Sequence, residues 1–193
     1  MKQLLLLLLI LSSISCKDAK DITANGEIVN DDISKQVTVD NVLSIDKEFP
    51  QDFLGAYKGE LKITTSRGTE SIPMEFHLLK TTDSMNYQYK IFYGEERSER
   101  AYNLKKTHNP NLYLVDENNG IVLETAYADQ TLFSTYEVMG NLLNCTEVFH
   151  DDYMEFMITM ARVQDTSMTG NAESAIVKNY PLSVMQKAVL FKE

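Results

Sequence analysis

Tyr57-Lys58-Gly59-Glu60-Leu61-Lys62-Ile63 alternates without a break. Tyr57, Gly59, Leu61 and Ile63 fall on one side of an extended chain, and Lys58, Glu60 and Lys62 fall on the other. A period of two marks a strand that buries one face and wets the other. The pattern recurs along the chain. Ile72, Met74, Phe76 and Leu78 stand opposite Glu75 and His77; Tyr87, Tyr89, Ile91 and Tyr93 opposite Gln88 and Lys90; Arg100, Tyr102 and Leu104 opposite Asn103 and Lys105.

Turn residues punctuate the rest of the chain. Asn118-Asn119-Gly120 separates a strand at 112–117 from one at 120–127, and Gly140-Asn141 separates 132–139 from 141–150. Asn and Gly tolerate the positive φ that tight hairpins need. Asp151-Asp152 then leads into 153–163, and a last strand over about 183–191 follows a polar loop at 164–179, where a short helix is expected over 172–178. About ten strands with short connections and no crossover helix exclude a parallel α/β sheet. The fold class is all-β. An antiparallel up-and-down barrel is the predicted architecture, because closure removes unpaired edges; a two-sheet β-sandwich is the alternative. A membrane-spanning barrel needs an apolar outer band, and the outer faces here carry Lys58, Glu60, Lys62, Glu75, Lys90, Lys105, Glu124, Glu137, Glu155 and Lys187.

The N-terminus reads as an address. Lys2 precedes an apolar run at 4–11, then Ser12-Ser13-Ile14-Ser15 and Cys16. The run is shorter than the roughly 20 residues a spanning helix needs, so 1–15 is expected to be a signal peptide. Ser13-Ile14-Ser15-Cys16 resembles the lipobox of bacterial lipoproteins, loosened at its first position as in Bacteroidetes. The resemblance implies lipid attachment at Cys16 and a membrane partner through that lipid. Lys17 stands where an inner-membrane retention signal would have Asp, which favours the outer membrane and leaves its face open. Residues 16–48 are polar and aperiodic and read as a tether, with a short strand or helical turn allowed over 37–45. The barrel domain is assigned to 49–193.

Asp52-Phe53-Leu54-Gly55-Ala56-Tyr57-Lys58-Gly59-Glu60-Leu61 resembles the opening strand of lipocalin-like, or calycin, barrels, in which a glycine and an aromatic residue sit at the closed end. Tyr57 stands where such barrels usually have tryptophan, and the chain has no Trp. With Tyr93-Gly94, Arg100-Ala101-Tyr102-Asn103-Leu104 and Val115-Asp116-Glu117-Asn118-Asn119-Gly120-Ile121, it is similar to a family of uncharacterised Bacteroidetes lipoproteins with a lipocalin-like barrel, over roughly 53–156. That resemblance implies a fold and a location and no activity.

Twenty-eight acidic residues against 18 basic ones, a net charge of −10, with no clustered basic face, argue against nucleic acid as a partner. Cys145 is the only other cysteine; with Cys16 lipidated no internal disulfide can form, and Cys145 reads as a small core residue. His77, His108 and His150 lie on separate segments, so no zinc-like ligand pair exists. Asp116-Glu117-Asn118-Asn119-Gly120 is too short for a calcium loop. Met154, Met157, Met160, Met168 and Met185 cannot converge locally on copper and read as core filling. Ser134, Cys145 and the histidines form no recognised triad, and Glu147 and Glu155 are expected to face each other across a hairpin as solvated carboxylates. The chain therefore reads as non-catalytic and without a cofactor.

What remains is a polar interior. The inward phase of the strands collects Tyr57, Tyr87, Tyr89, Tyr93, Arg100, Tyr102, Tyr127, Ser134, Tyr136 and Gln186. Such groups need partners when buried, at about 1 to 3 kcal/mol for each one left unpaired. Tyr57, Tyr89, Tyr93, Arg100, Tyr102, Tyr136 and Gln186 are the candidate pocket. Arg100-x-Tyr102 has the spacing with which intracellular fatty-acid-binding barrels hold a carboxylate, on about the fourth strand here and not the last. Two readings stay open. A small apolar or amphipathic ligand is held by Arg100 and the tyrosines, or Arg100 pairs at the rim with Glu95, Glu96 or Glu99, the barrel is filled, and an unidentified protein partner sits outside. The lipoprotein expectation has its own test: expressed in a Gram-negative host, the full chain should incorporate labelled palmitate and fractionate with membranes, and Cys16→Ser should do neither. A wild-type chain that is unlabelled and free of the membrane fraction overturns it.

Overall fold

The computed structural model describes residues 47–193; the signal peptide, Cys16 and nearly all of the tether lie outside the described residues. The strands are β1 (Gly55–Thr65), β2 (Gly68–Lys80), β3 (Asn86–Tyr93), β4 (Ser98–Lys106), β5 (Leu112–Asp116), β6 (Val122–Ala128), β7 (Thr131–Val138), β8 (Asn141–Phe149), β9 (Tyr153–Arg162), β10 (Ser167–Thr169), β11 (Val177–Asn179) and β12 (Leu182–Lys192). Ten of them form a closed barrel in the order β1-β12-β9-β8-β7-β6-β5-β4-β3-β2, all neighbours antiparallel, and β10 and β11 form a separate two-stranded sheet. This is the up-and-down barrel, not the sandwich.

Period two sets the two faces. Tyr57, Leu61 and Ile63 are buried while Lys58, Glu60 and Lys62 point outward, with Lys58 and Lys62 exposed and Glu60 likewise, so the stretch that predicted a strand also points each side chain to its predicted side. Hairpin turns fall at the Asn and Gly positions: Asn118 and Gly120 have φ of 58° and 95°, and Met139 and Gly140 have 51° and 75°.

One end of the barrel is plugged. The chain before β1 crosses it, with a single 3-10 turn at Gln51–Phe53. Phe49 and Phe53 are buried against the walls. The Phe49 ring stacks on Tyr127 at 4.6 Å, meets Tyr113 edge-on at 5.2 Å and lies 5.1 Å from Phe149. The Tyr57 hydroxyl donates to the Phe53 carbonyl at 2.5 Å and the Tyr113 hydroxyl to the Phe49 carbonyl at 3.2 Å. The plug is thus held by its rings and by its backbone. Tyr57 sits at the closed end.

Residues 172–178 are not helical. Asn171 Oδ1 accepts from the backbone N–H of Glu173 and Ser174, both at 3.0 Å, and Gly170 takes a φ of +95°. These local bonds close a turn, the usual way Asn competes with a helix. The chain then returns as β11 to pair with β10.

Phe149 is fully buried and packs against Phe49, Phe53, Tyr57 and Phe76. Phe149→Ala should destabilise the domain by about 3 to 5 kcal/mol, read as a lowered denaturation midpoint with an unchanged denaturant slope. A loss below about 1 kcal/mol would show that the plug is not part of the core.

Candidate functional site

Burial along the inner wall is graded. Around the plug, Tyr57, Phe76, Leu132 and Phe149 have no exposed surface. Midway, Tyr89 and Glu147 are each 4% exposed, and further towards the other end Gln186 is 8% and Cys145 9% exposed. At that end Tyr93, Arg100, Tyr102 and Tyr136 are partly exposed although their alternation points them inward. The interior is closed at the plug and opens towards the ends of β3, β7 and β9 and the starts of β4, β8 and β12. The β10–β11 sheet lies in the connection between β9 and β12, at this open end.

The predicted pocket residues therefore separate into layers. Tyr57 belongs to the plug and cannot line an accessible site. Tyr89 is buried, its ring edge-on to Phe76 at 4.8 Å and stacked on Tyr102 at 6.1 Å. Tyr93, Arg100, Tyr102 and Tyr136 sit at the mouth. Arg100 pairs with none of Glu95, Glu96 or Glu99: its guanidinium donates to the backbone carbonyl of Glu99 at 3.2 Å, while the Glu99 carboxylate pairs with Lys90 at 2.8 Å. Among the described residues Arg100 has no carboxylate partner. Its charge tempers the phenols of Tyr93 and Tyr102, though burial still raises both, Tyr102 to about 12.

Sequence reasoning missed Glu147. It does not face Glu155 across the hairpin. In the register of β8 and β9, Glu147 is opposite Phe156 and Glu155 is opposite Val148, so the two carboxylates point to opposite faces. Glu155 is outside with Lys187 at 3.1 Å. Glu147 is inside and accepts a hydrogen bond from the Tyr89 hydroxyl at 2.9 Å. Strands β3 and β8 are five places apart in the ten-strand ring, so this bond spans the barrel from one wall to the opposite one. Burial pushes the Glu147 carboxyl up to about 7, against the stabilising Tyr89 bond, and raises the Tyr89 phenol well above its ordinary value, with the Glu147 charge adding to it.

The other interior polar groups divide in two. Thr125 and Ser134 satisfy each other at 2.8 Å. Cys145 is a free thiol 3.8 Å from the Tyr136 hydroxyl, and burial raises it to about 12, so it is not poised as a nucleophile. Gln186 lies between Ile63 on β1 and Ile158 on β9, and its buried side-chain oxygen has no partner among the described residues. A separate shallow notch of about 200 Å³ lies at the junction of β2 and β3, lined by Pro73, Glu75, Phe92 and Arg97 among others, and contains none of the predicted residues.

No family model matches the chain, and no curated protein matches it. It is similar in structure to a crystal structure of a protein of unknown function from the DUF3598 family of Nostoc punctiforme PCC 73102, with a TM-score of 0.55 at 10% identity. The match covers 74% of this chain and 48% of the other, so this chain spans about half the length of that protein. At that identity the likeness concerns the fold alone.

Glu147 gives stability a pH dependence of defined sign. Its carboxyl titrates at about 7 in the folded chain and near 4.5 as a free side chain, so between these values the native state holds the extra proton. Its contribution is full below pH 4.5 and is lost as pH rises through 7, by roughly 3 kcal/mol. Asp116 and Asp151, both lowered by lysine neighbours, act with the opposite sign at more acid pH and on the surface. Glu147→Gln, which keeps an acceptor for Tyr89, should flatten the unfolding free energy between pH 5 and 8; an identical slope in the variant would place Glu147 in solvent.

Proposed function

We propose that the chain is a lipid-anchored protein of the cell envelope, with its lipid on Cys16, whose barrel binds a small amphipathic molecule through its open end and catalyses no reaction. The lipobox-like Ser13-Ile14-Ser15-Cys16 supports the anchoring, and the outer membrane is its proposed location. The observation that carries the binding reading is the asymmetry of the interior: aromatic and fully buried at the plug, polar and partly exposed towards the other end. Arg100 at the mouth, free of a carboxylate and beside Tyr93 and Tyr102, is suited to an anionic end group. Buried Ile63, Ile91, Leu143 and Ile158 supply apolar wall, Ile91 directly across from Arg100 on β3.

A second reading rests on the outer wall. Met185, Val189 and Phe191 on β12 are 44%, 39% and 62% exposed, with Lys187 between Met185 and Val189, and Tyr153 lies 6.3 Å from the Phe191 ring, a mainly apolar row of the kind a protein partner covers. Native mass spectrometry of the chain from its own host separates the two. The binding reading expects a retained small mass, reduced in Arg100→Ala with an unchanged melting temperature. A chain that carries no added mass in either form favours the second reading.

A further inference from the structure

Two acceptor atoms are left over inside the barrel. Glu147 uses one carboxylate oxygen for the Tyr89 hydroxyl, and its second oxygen has no partner among the described residues. Its surroundings supply burial and the Tyr89 bond and no cation. The Gln186 side-chain oxygen is also buried and unpartnered, with the residue more than nine-tenths buried. Neither is a surface group, and neither sits against a backbone donor.

The register places them together. Glu147 on β8 is in line with Phe156 on β9 and Ala188 on β12, and Gln186 is one inward-facing position nearer the mouth on β12. Two strand spacings and a two-residue step along β12, about 12 Å together, separate their backbones, and both side chains project into the barrel interior. The Tyr89 and Tyr102 rings, stacked at 6.1 Å, stand on the opposite wall.

We propose that this inner level of the recess is a site for a primary amine, in which an ammonium donates to the free oxygen of Glu147 and to the side-chain oxygen of Gln186, and the apolar body of the ligand runs towards the mouth. The inference rests on the binding reading above and names the chemistry of the ligand's inner end. An ammonium has three donors and no acceptor, which matches the two oxygens left without a donor. Tyrosine faces add to the attraction for a cation within reach. A trapped water would satisfy Gln186, but it would bring no positive charge to the Glu147 carboxyl, whose ionised form burial disfavours. A carboxylate or phosphate entering end-first would meet Glu147 with like charge, so an anionic group belongs at the mouth, near Arg100.

The test uses three chain-matched probes, octylamine, octanol and octanoate, titrated by calorimetry into the wild-type chain, Glu147→Gln and Gln186→Leu, with circular dichroism to confirm that each variant is folded. Octylamine is expected to bind the wild type at least tenfold more tightly than octanol, with the preference abolished in Glu147→Gln and reduced in Gln186→Leu. Octanol binding as tightly as octylamine, or a preference that survives Glu147→Gln, overturns the amine site and leaves the pocket standing. Binding of none of the three overturns both. Should Glu147→Gln fail to fold, the ratio of octylamine to octanol in the wild type and in Gln186→Leu still decides.

Discussion

The pairing of β1 with β12 brings the two ends of the described domain together, from Tyr57 opposite Lys192 to Thr65 opposite Val184. Every other strand pairing in the barrel joins strands adjacent in sequence or, for β9 with β12, strands parted by one short excursion. Closure is therefore the contact with the largest loop entropy against it, and it has a steric condition. Gly59 lies so close to β12 that a methyl in place of its hydrogen would stand 2.3 Å from the Val189 carbonyl oxygen. The glycine within the strongest alternating stretch is thus where the barrel's seam is drawn tight. Without closure, two edges would be exposed and the inner wall would have no inside.

Closure makes the plug and the polar interior mutually dependent. The aromatic segment at 49–53 removes water from one end, which raises the cost of any unpaired polar group above it. Tyr57 and Tyr113 meet that cost by donating to the plug's own carbonyls, so the two seal each other. Further up, Thr125 and Ser134 pair, whereas Glu147 is satisfied on one side only. A buried carboxylate with one neutral donor and no cation adds little to stability and detracts from it near neutral pH.

Much of the fold was legible because its signal is local. Alternation assigns the inner and outer faces of β1 to β4 residue by residue, and Asn118, Gly120 and Gly140 sit where hairpins turn. The β10–β11 sheet was not legible, because two three-residue strands carry no period and the side chain of Asn171 decides the turn. The site was half legible. Tyr93, Arg100 and Tyr102 follow from alternation, but their depth does not: alternation gives a face, not a level along the barrel axis. Tyr57 shares its face with Leu61 and Ile63 and yet belongs to the plug, a position set by the crossing of 49–53. Glu147 was missed through its charge. Leu143, Cys145 and Phe149 share its parity, and had that parity been weighed above the ordinary preference of carboxylates for water, Glu147 would have been placed inside.

That misplacement bears on what the barrel is for. A fold of this class is compatible with many roles, and the likeness to a protein of unknown function fixes none. The distinction between a filled and an occupied barrel lies in the remainder after internal hydrogen bonds are counted. In a filled interior the remainder should vanish, as it does for Thr125 with Ser134 and at the plug. Here it is two acceptors, one of them on a carboxyl, at neighbouring levels of an interior that grows more exposed towards Arg100. Chance would leave an odd donor or acceptor beside a water. The interior places a carboxyl across the lumen from a tyrosine pair, a second acceptor one layer above it, and a guanidinium without a carboxylate partner among the described residues beyond them. Those positions are ordered along one axis, the order that the proposed amphipathic molecule would need if it entered by the Arg100 end.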